Sequence, residues 1–278
     1  MQFRWYGKTL PKELVDVRLV IISDLHYGNE YCSEKHFLRT VAWIKEQDNC
    51  YVLLNGDLCE SDIRTSVGDI YRQVGTPDDQ KKQVVDWLLP IKSKVLGVTS
   101  GNHERRLYNT AGTDISAYIA ERLEVPYRSE GMLYKVSFGD GNNWTSGKPF
   151  VFWTYFTHGY GGARTKGAKA VKAERLSHWQ LADIYAMSHD HEANVAPSIR
   201  FVADPRGTEQ GGFITGAVTE KRIMLVKTNA YVKFGGYAET GGFSPSDLST
   251  PIIHLLTPKS PFWRMCADRP AQGVKVWV

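Results

Sequence analysis

Apolar runs alternate with amphipathic stretches through the first half of the chain. Three short runs rich in Val, Ile and Leu are predicted as strands, at residues 15–23, 51–54 and 95–98. Between them, Phe37, Val41 and Ile44 recur at helical spacing after Ser33, and residues 79–90 form a second predicted helix. Strands that alternate with helices indicate βαβ units and at least one largely parallel sheet.

The second half of the chain is richer in strands. After a predicted helix at residues 114–123, strands are expected at 132–138 and 150–157, followed by a helix at 168–179 and a strand at 182–188. Further strands are expected at 199–203, 223–226, 252–256 and 274–277, with glycine pairs at 211–212, 235–236 and 241–242 in the loops. No proline- or serine-rich linker divides the sequence, so residues 1–278 are expected to form one domain.

Composition excludes several classes of protein. With 42% hydrophobic and 23% charged residues, the sequence is typical of a folded globular protein rather than a disordered or fibrous one. No run approaches the roughly 20 apolar residues of a membrane-spanning helix, and the N-terminus does not resemble a secretion signal. The cysteines are few and widely spaced, which favours a reduced, cytoplasmic protein: Cys32, Cys50, Cys59 and Cys266. The net charge of +4 weakly favours anionic partners.

Several predicted strands end in side chains suited to binding metal ions. Asp24 and His26 are two residues apart, as are His189 and His191, so each pair points the same way in an extended segment. In open α/β sheets, ligands collect beyond the carboxyl ends of the strands. Carboxylate, amide and imidazole ligands suit Mn²⁺, Fe or Zn²⁺ better than Ca²⁺. Asp57, with two carboxylate oxygens, is a candidate to bridge two ions about 3.5–4 Å apart.

Five motifs occur in the order found in the calcineurin-like metallophosphoesterases, which this sequence therefore resembles. They span residues 24–191: Asp24-x-His26, Gly56-Asp57, Gly101-Asn102-His103-Glu104, His158-Gly159 and His189-x-His191. The resemblance implies a four-layer α/β/β/α sandwich of two mixed sheets flanked by helices, the metallo-dependent phosphatase fold. It also implies two bound divalent cations, with Mn²⁺ preferred and Fe, Zn²⁺ and Ni²⁺ as alternatives.

The resemblance assigns roles to individual residues. One ion would be held by Asp24, His26, Asp57 and His191, and the other by Asp57, Asn102, His158 and His189. His103 would stay free to face the substrate, where it would stabilise phosphoryl charge or protonate the leaving oxygen. The expected reaction is attack of a metal-bridging hydroxide on a phosphate ester.

The sequence departs from the family pattern at two places. Ser188 stands where the last motif usually has glycine, which can alter the turn but removes no ligand. The segment after Asp57 lacks the aspartate and arginine that mark phosphoprotein phosphatases, so a protein phosphatase is disfavoured. Glu60 occupies the position of that missing aspartate, and we expect it to orient His103 for catalysis.

Basic side chains near the motifs are candidates to bind the substrate. Arg105 and Arg106 directly follow His103, so at least one is expected to contact a phosphate, although salt bridges with nearby carboxylates are an alternative. Arg164 and Lys166 lie in a glycine-rich loop after His158. This loop fits a phosphate cradle and a solvated surface loop equally well.

We expect a phosphodiester substrate, either nucleic acid, as for a nuclease, or a nucleotide-derived small molecule. A phosphomonoesterase acting on a nucleotide or another small molecule is the alternative enzyme. A binding module that keeps this fold without catalysis is the alternative outside enzymes, although none of the expected ligands is missing from the sequence.

Overall fold

The computed structural model describes residues 3–66, 68–141, 147–240, 242–245, 247–263 and 273–278. Twelve strands are present in these ranges: β1 (Trp5–Thr9), β2 (Asp16–Ile22), β3 (Cys50–Asn55), β4 (Val95–Thr99), β5 (Tyr127–Arg128), β6 (Gly131–Phe138), β7 (Phe150–Thr157), β8 (Ile184–Met187), β9 (Asn194–Gln210), β10 (Phe213–Lys227), β11 (Ile252–Leu256) and β12 (Val274–Trp277). The described helices are α1 (Glu34–Glu46), α2 (Pro77–Leu88), α3 (Asn102–Ala111), α4 (Ile115–Leu123), α5 (Lys166–Leu176) and α6 (Tyr237–Thr240).

The strands form two six-stranded mixed sheets. The first sheet has the order β12-β11-β2-β3-β4-β5, in which β2 to β5 are parallel and the β11 and β12 pairings are antiparallel. The second sheet has the order β1-β6-β7-β8-β10-β9, with antiparallel pairings of β6 with β7 and of β10 with β9. The strands that precede the predicted ligands, β2, β3, β4, β7 and β8, therefore lie inside the sheets.

Three apolar cores separate four layers. Between the sheets, Leu19, Ile21 and Leu53 of the first sheet pack with Phe156 and Met224 of the second. On the outer face of the first sheet, α1, α2 and α4 bury their apolar stripes, and the outer face of the second sheet is covered by α5. The expected four-layer sandwich of two mixed sheets with flanking helices is confirmed.

Local sequence explains where the helices begin. Thr76 caps α2 through a reciprocal pair of hydrogen bonds with Asp79, with Pro77 in the first turn. Asp114 caps α4 by accepting from the Ala117 amide at 2.9 Å. These caps satisfy backbone N–H groups that have no partner within the helix.

The structure differs from the sequence prediction in several elements. Helix α3 starts at Asn102, inside the motif Gly101-Asn102-His103-Glu104, where no helix was predicted, and β1 and β5 were not predicted either. The strands expected at 199–203 and 223–226 are parts of a much longer two-stranded ribbon, β9 and β10, joined at Gly211 and Gly212. Cys266, residues 142–146 and Gly241 lie outside the described residues, whereas Cys32, Cys50 and Cys59 are free thiols. No described helix has the length and apolar character needed to cross a membrane.

Candidate metal centre

The predicted metal ligands meet at one edge of the molecule, beyond the carboxyl ends of five strands. Asp24, Asp57 and Asn102 follow strands β2, β3 and β4 of the first sheet. His158 follows β7 of the second sheet, and His189 and His191 follow β8. The cluster therefore lies across the seam between the two sheets.

Unusual backbone conformations are concentrated at this cluster. Five predicted ligands have positive φ angles between 49° and 73°: Asp24, His26, Asp57, His189 and His191. Only three other non-glycine residues in the described part of the chain have positive φ. The left-handed region costs free energy for a residue with a Cβ, so the surrounding structure holds these turns in place.

One group of side chains surrounds the carboxylate of Asp24. Asp24 Oδ1 lies 3.2 Å from His191 Nε2 and 3.9 Å from His26 Nε2. The two imidazole nitrogens face each other at 3.2 Å. These three residues place one carboxylate oxygen and two ring nitrogens within 4.8 Å of one another, as a shared cation would require.

A second group is centred on Asp57. Asp57 Oδ2 lies 2.9 Å from His158 Nε2 and 3.9 Å from His26 Nε2, so this oxygen lies between the two groups. Asp57, His158 and His189 offer atoms within 4.8 Å of one another, and Asn102 Oδ1 lies 3.0 Å from His158 Nε2. The structure thus brings all seven predicted ligands together in two adjoining groups that share Asp57.

Hydrogen bonds fix which nitrogen each histidine turns toward the cluster. His26 Nδ1 contacts Glu60 Oε2 at 2.8 Å, and His158 Nδ1 contacts the Asn55 carbonyl oxygen at 2.9 Å. His189 Nε2 contacts the Gly161 carbonyl oxygen at 2.9 Å. Since each acceptor requires an N–H on the contacting nitrogen, the other ring nitrogen keeps the lone pair that a metal needs.

One buried atom shows that these residues fit a cation. Asp24 is fully buried, and its Oδ1 accepts no hydrogen bond from the described residues, although Oδ2 accepts from Ser23 Oγ at 2.6 Å. A buried carboxylate oxygen without a donor is costly. Asp24 Oδ1 faces the three imidazole nitrogens of His26, His158 and His191, which is the environment of a metal ligand.

The cluster has surplus negative charge that draws protons onto its histidines. Burial lowers the pKa of His26, but the hydrogen bond and charge of Glu60 outweigh it and raise the pKa to about 10. Burial also opposes protonation of His158, yet the charges of Asp57 and Asp24 raise its pKa to about 9. Divalent cations would replace these protons, because a metal-binding imidazole must be neutral.

His103 lies at the border of the cluster, where it forms a third group of possible ligand atoms with His26 and Glu60. Its Nδ1 contacts the main-chain oxygen of Glu60 at 2.7 Å, whereas the Glu60 carboxylate is 3.9 Å from that nitrogen. The carboxylate instead bonds His26, so the expected contact of the Glu60 side chain with His103 is replaced by a main-chain contact. His103 Nε2 takes no part in this hydrogen bond.

Glu104 holds the turn that carries Asp57. Its carboxylate accepts hydrogen bonds from four backbone amides, those of Asp57, Leu58, Cys59 and Gly101, at 2.7–3.2 Å. Glu104 is 1% exposed, so it acts as an internal clamp. The sequence pointed to Glu104 as part of a motif but gave no sign of this role.

A buried charge cluster supports the turn that carries His189 and His191. Asp190, between them, accepts from Lys172 Nζ and Lys227 Nζ at 2.6 Å each, and Lys227 also donates to the Ser188 carbonyl oxygen at 2.7 Å. Lys227 is 1% exposed. Sequence reasoning missed this role of both lysines. The one signal for Lys227 is its position directly after the apolar run at residues 223–226.

A cavity of about 990 Å³ opens onto the cluster, and one of the four predicted substrate-binding residues, Arg106, lines it. Arg106 lines it and contacts Asp62 Oδ1 at 3.3 Å. Arg105 turns away and donates to the Ser129 carbonyl oxygen at 2.6 Å. Arg164 and Lys166 do not line the cavity. Arg164 stacks on Phe243, and Lys166 is 86% exposed beside Glu192.

The cavity also has cationic side chains that sequence reasoning did not select. Arg72, Lys169 and Lys233 line it together with Arg106. Lys169 bonds Glu192 at 2.7 Å, and Arg72 contacts Glu30 at 3.2 Å. The glycine-rich loop after His158 contributes its backbone at Gly161, Gly162 and Ala163 rather than its two predicted cations.

Comparison with known proteins places the chain in a family. The chain resembles the solved structure of a Vps29 double mutant from Entamoeba histolytica, with 13% identity, a TM-score of 0.39, and coverage of 94% of this chain and 97% of that chain. No curated protein matches the sequence. A family model described as calcineurin-like phosphoesterase matches residues 17–199, the range that includes every predicted ligand. The chain therefore belongs to the calcineurin-like phosphoesterase family.

Proposed function

We propose that this protein is a phosphodiesterase that depends on two divalent cations. The observation that carries the proposal is the buried Asp24 Oδ1, which accepts no hydrogen bond from the described residues and faces three imidazole nitrogens at 3.2–3.9 Å. Asp24, His26, Asp57 and His191 would hold one cation, and Asp57, Asn102, His158 and His189 the other. When bound, the two cations supply a water of lowered pKa and positive charge against the phosphoryl oxygens.

His103 is the proposed proton donor to the leaving oxygen. The Glu60 carbonyl oxygen holds the Nδ1–H, so a proton taken up by the ring resides on Nε2. From Nε2 it can pass to the departing alkoxide or phenoxide. Burial and the neighbouring charge of His26 lower the pKa of His103, although Asp57 opposes them, and a lowered pKa eases release of that proton.

The charges around the cavity support a diester over a monoester. A phosphodiester carries one negative charge at neutral pH, whereas a monoester carries close to two. Near His103, Arg106 is paired with Asp62 and Arg105 is directed away, so these two arginines do not form a pair that binds a dianion. Glu30, Asp62 and Asp69 also line the cavity and disfavour a highly charged strand of nucleic acid. A small, nucleotide-derived diester fits this balance, with Mn²⁺ as the preferred metal.

The test is a comparison of bis-p-nitrophenyl phosphate with p-nitrophenyl phosphate in the presence of Mn²⁺, Ni²⁺ or Zn²⁺. We expect the diester to be hydrolysed with the higher kcat/KM, and expect a chelator to abolish the activity. A higher kcat/KM for the monoester would support the phosphomonoesterase. Absence of hydrolysis with all three metals would support a binding module without catalysis.

A further inference from the structure

The cavity at the candidate metal centre is larger than a phosphate group requires. Its volume of about 990 Å³ lies near the upper end of the range for small-molecule sites, which is roughly 300–1,000 Å³. The candidate metal ligands and the acidic residues line only part of it. Much of the remaining lining comes from residues 28–31 and 232–244, which leave room for an organic group attached to the phosphate.

Three aromatic side chains line this part of the cavity, and we call them the aromatic wall: Tyr31, Phe234 and Phe243. Phe234 is 43% exposed, so a large part of its ring is open to a ligand. Among the described lining residues of the two segments, the aliphatic side chains are those of Val232 and Ala238, which are both small. The wall therefore offers flat ring surfaces rather than an aliphatic channel.

A pair of glycines sets the position of Tyr31. A Cβ at Gly235 would lie 2.2 Å from Tyr31 Cε1, and a Cβ at Gly236 would lie 2.8 Å from Tyr31 Cε2. Both distances are shorter than a side-chain atom tolerates, so the close approach of the ring requires glycine at both positions. Arg164 lies over the ring of Phe243, 4.4 Å from its centroid. Both rings are therefore held by neighbours that leave them as part of the cavity surface.

Backbone hydrogen bonds join the aromatic wall to the candidate metal centre. The Tyr231 amide, three residues before Phe234, donates to the Asp24 carbonyl oxygen at 2.9 Å. The Lys233 amide donates to the Tyr31 carbonyl oxygen, also at 2.9 Å. Since Asp24 is a candidate metal ligand, these bonds fix the rings relative to the place where a phosphate would bind.

We propose that the aromatic wall is the subsite for a nucleobase of the substrate, which stacks on Phe234 while the phosphate lies at the metal centre. This inference rests on the proposed function and adds the group that selects the diester. Every nucleobase presents a flat π face, and stacking on an aromatic side chain tightens binding by about tenfold or more. A lipid diester would instead require a continuous aliphatic surface, which Val232 and Ala238 do not provide.

The test is titration calorimetry of the full chain in the presence of Mn²⁺, with two probes that differ only by the adenine base: adenosine 5′-monophosphate and ribose 5-phosphate. We expect the wild type to bind adenosine 5′-monophosphate at least about tenfold more tightly. Phe234→Ala should remove most of this preference and leave the dissociation constant of ribose 5-phosphate within about twofold of the wild-type value. Phe262→Ala is the matched control, because Phe262 is also 43% exposed but does not line the cavity.

The outcomes separate this subsite from the proposed function. Equal affinity of the wild type for the two probes, or equal effects of Phe234→Ala and Phe262→Ala, would overturn the subsite while leaving the phosphodiesterase in place. Tighter binding of octyl phosphate than of adenosine 5′-monophosphate would overturn it in favour of a lipid diester. If neither probe bound and bis-p-nitrophenyl phosphate were not hydrolysed, the proposed function itself would fail, and the subsite with it. Both phenylalanines are exposed, and circular dichroism will verify that each variant is folded.

Discussion

Asn55 Nδ2 donates a hydrogen bond to Ser188 Oγ at 2.6 Å and thereby joins the two sheets beneath the candidate metal centre. Asn55 ends β3, and its Oδ1 also accepts from Thr99 Oγ1 at the end of β4. Ser188 follows β8, and its hydroxyl contacts Thr228 Oγ1 at 2.8 Å. The serine that departs from the family's usual glycine is therefore a link in a buried polar network.

Ser188→Ala tests this network. The substitution removes the partner of one Asn55 Nδ2–H and of the Thr228 hydroxyl, while Asn55 Nδ2 still donates to the Thr157 carbonyl oxygen. We therefore expect the free energy of unfolding to fall by about 1–3 kcal/mol. Urea denaturation measures the change. Ser93→Ala, at an exposed position, serves as the control and should leave stability unchanged.

His103→Ala separates proton donation from metal binding. We expect kcat on bis-p-nitrophenyl phosphate to fall by about 10²–10⁴-fold, while metal content stays at the wild-type level. Asp57→Asn should show the reverse order of effects, with loss of bound metal measured by elemental analysis. A His103→Ala protein that lost its metal would contradict the assignment of His103, and full metal occupancy in Asp57→Asn would contradict the bridging role.

Glu60→Ala tests the support of His26. The carboxylate of Glu60 fixes the Nδ1–H of His26, so its loss should lower metal affinity by about 10–100-fold. Glu60→Gln should recover part of this affinity, because an amide oxygen can accept the same hydrogen bond. Asp69→Asn is the control, since Asp69 lines the same cavity but pairs with Arg72. Titration calorimetry with Mn²⁺ gives the dissociation constants.

Lys227→Met tests the buried charge cluster. Removing one of the two lysines leaves the Asp190 carboxylate undercompensated in the interior, and we expect a loss of about 3–5 kcal/mol in the free energy of unfolding. Lys166→Met changes an exposed ion pair with Glu192 and should have no measurable effect on stability. Equal stability of Lys227→Met and wild type would contradict the role of Lys227.

Arg106→Ala and Arg105→Ala form a matched pair of neighbours. Because Arg106 lines the cavity, its removal should lower kcat/KM about tenfold or more. Arg105 is directed to Ser129, so Arg105→Ala should keep kcat/KM within about twofold of the wild-type value. The same diester assay measures both. A larger loss with Arg105→Ala would reverse the assignment.

Periodicity and motifs predicted much of this structure. The strand ends that carry Asp24, Asp57 and His189 were recognisable because each follows a short apolar run bounded by polar residues. The length of the ribbon was underestimated, since only residues 199–203 of β9 and the buried base of β10, from Ile223 onward, have a pattern typical of a strand. Its outer part is a mixture of polar, glycine and apolar residues, and its strand character depends on cross-strand pairing.

The details of the candidate site depended on tertiary contacts that the sequence does not display. Glu60 contacts His103 through its main-chain oxygen and His26 through its carboxylate, and a one-dimensional pattern does not distinguish these two oxygens. Likewise, Arg105 and Arg106 are adjacent in sequence, and only the rotation of α3 directs one into the cavity. The lysines that hold Asp190 come from α5 and β10, far apart in the chain.

The acidic and imidazole groups come from both sheets, so metal binding at this seam would affect the stability of the fold as well as catalysis. Burial and the charge of Asp57 act to raise the pKa of Asp24, but His158 and His191 outweigh them and hold this pKa below its usual range. His158 and His103 likewise outweigh burial and hold the pKa of Asp57 well below its usual range. Cations bound there would link the two sheets through shared ligands. Metal binding would therefore stabilise the folded protein as well as complete the active site.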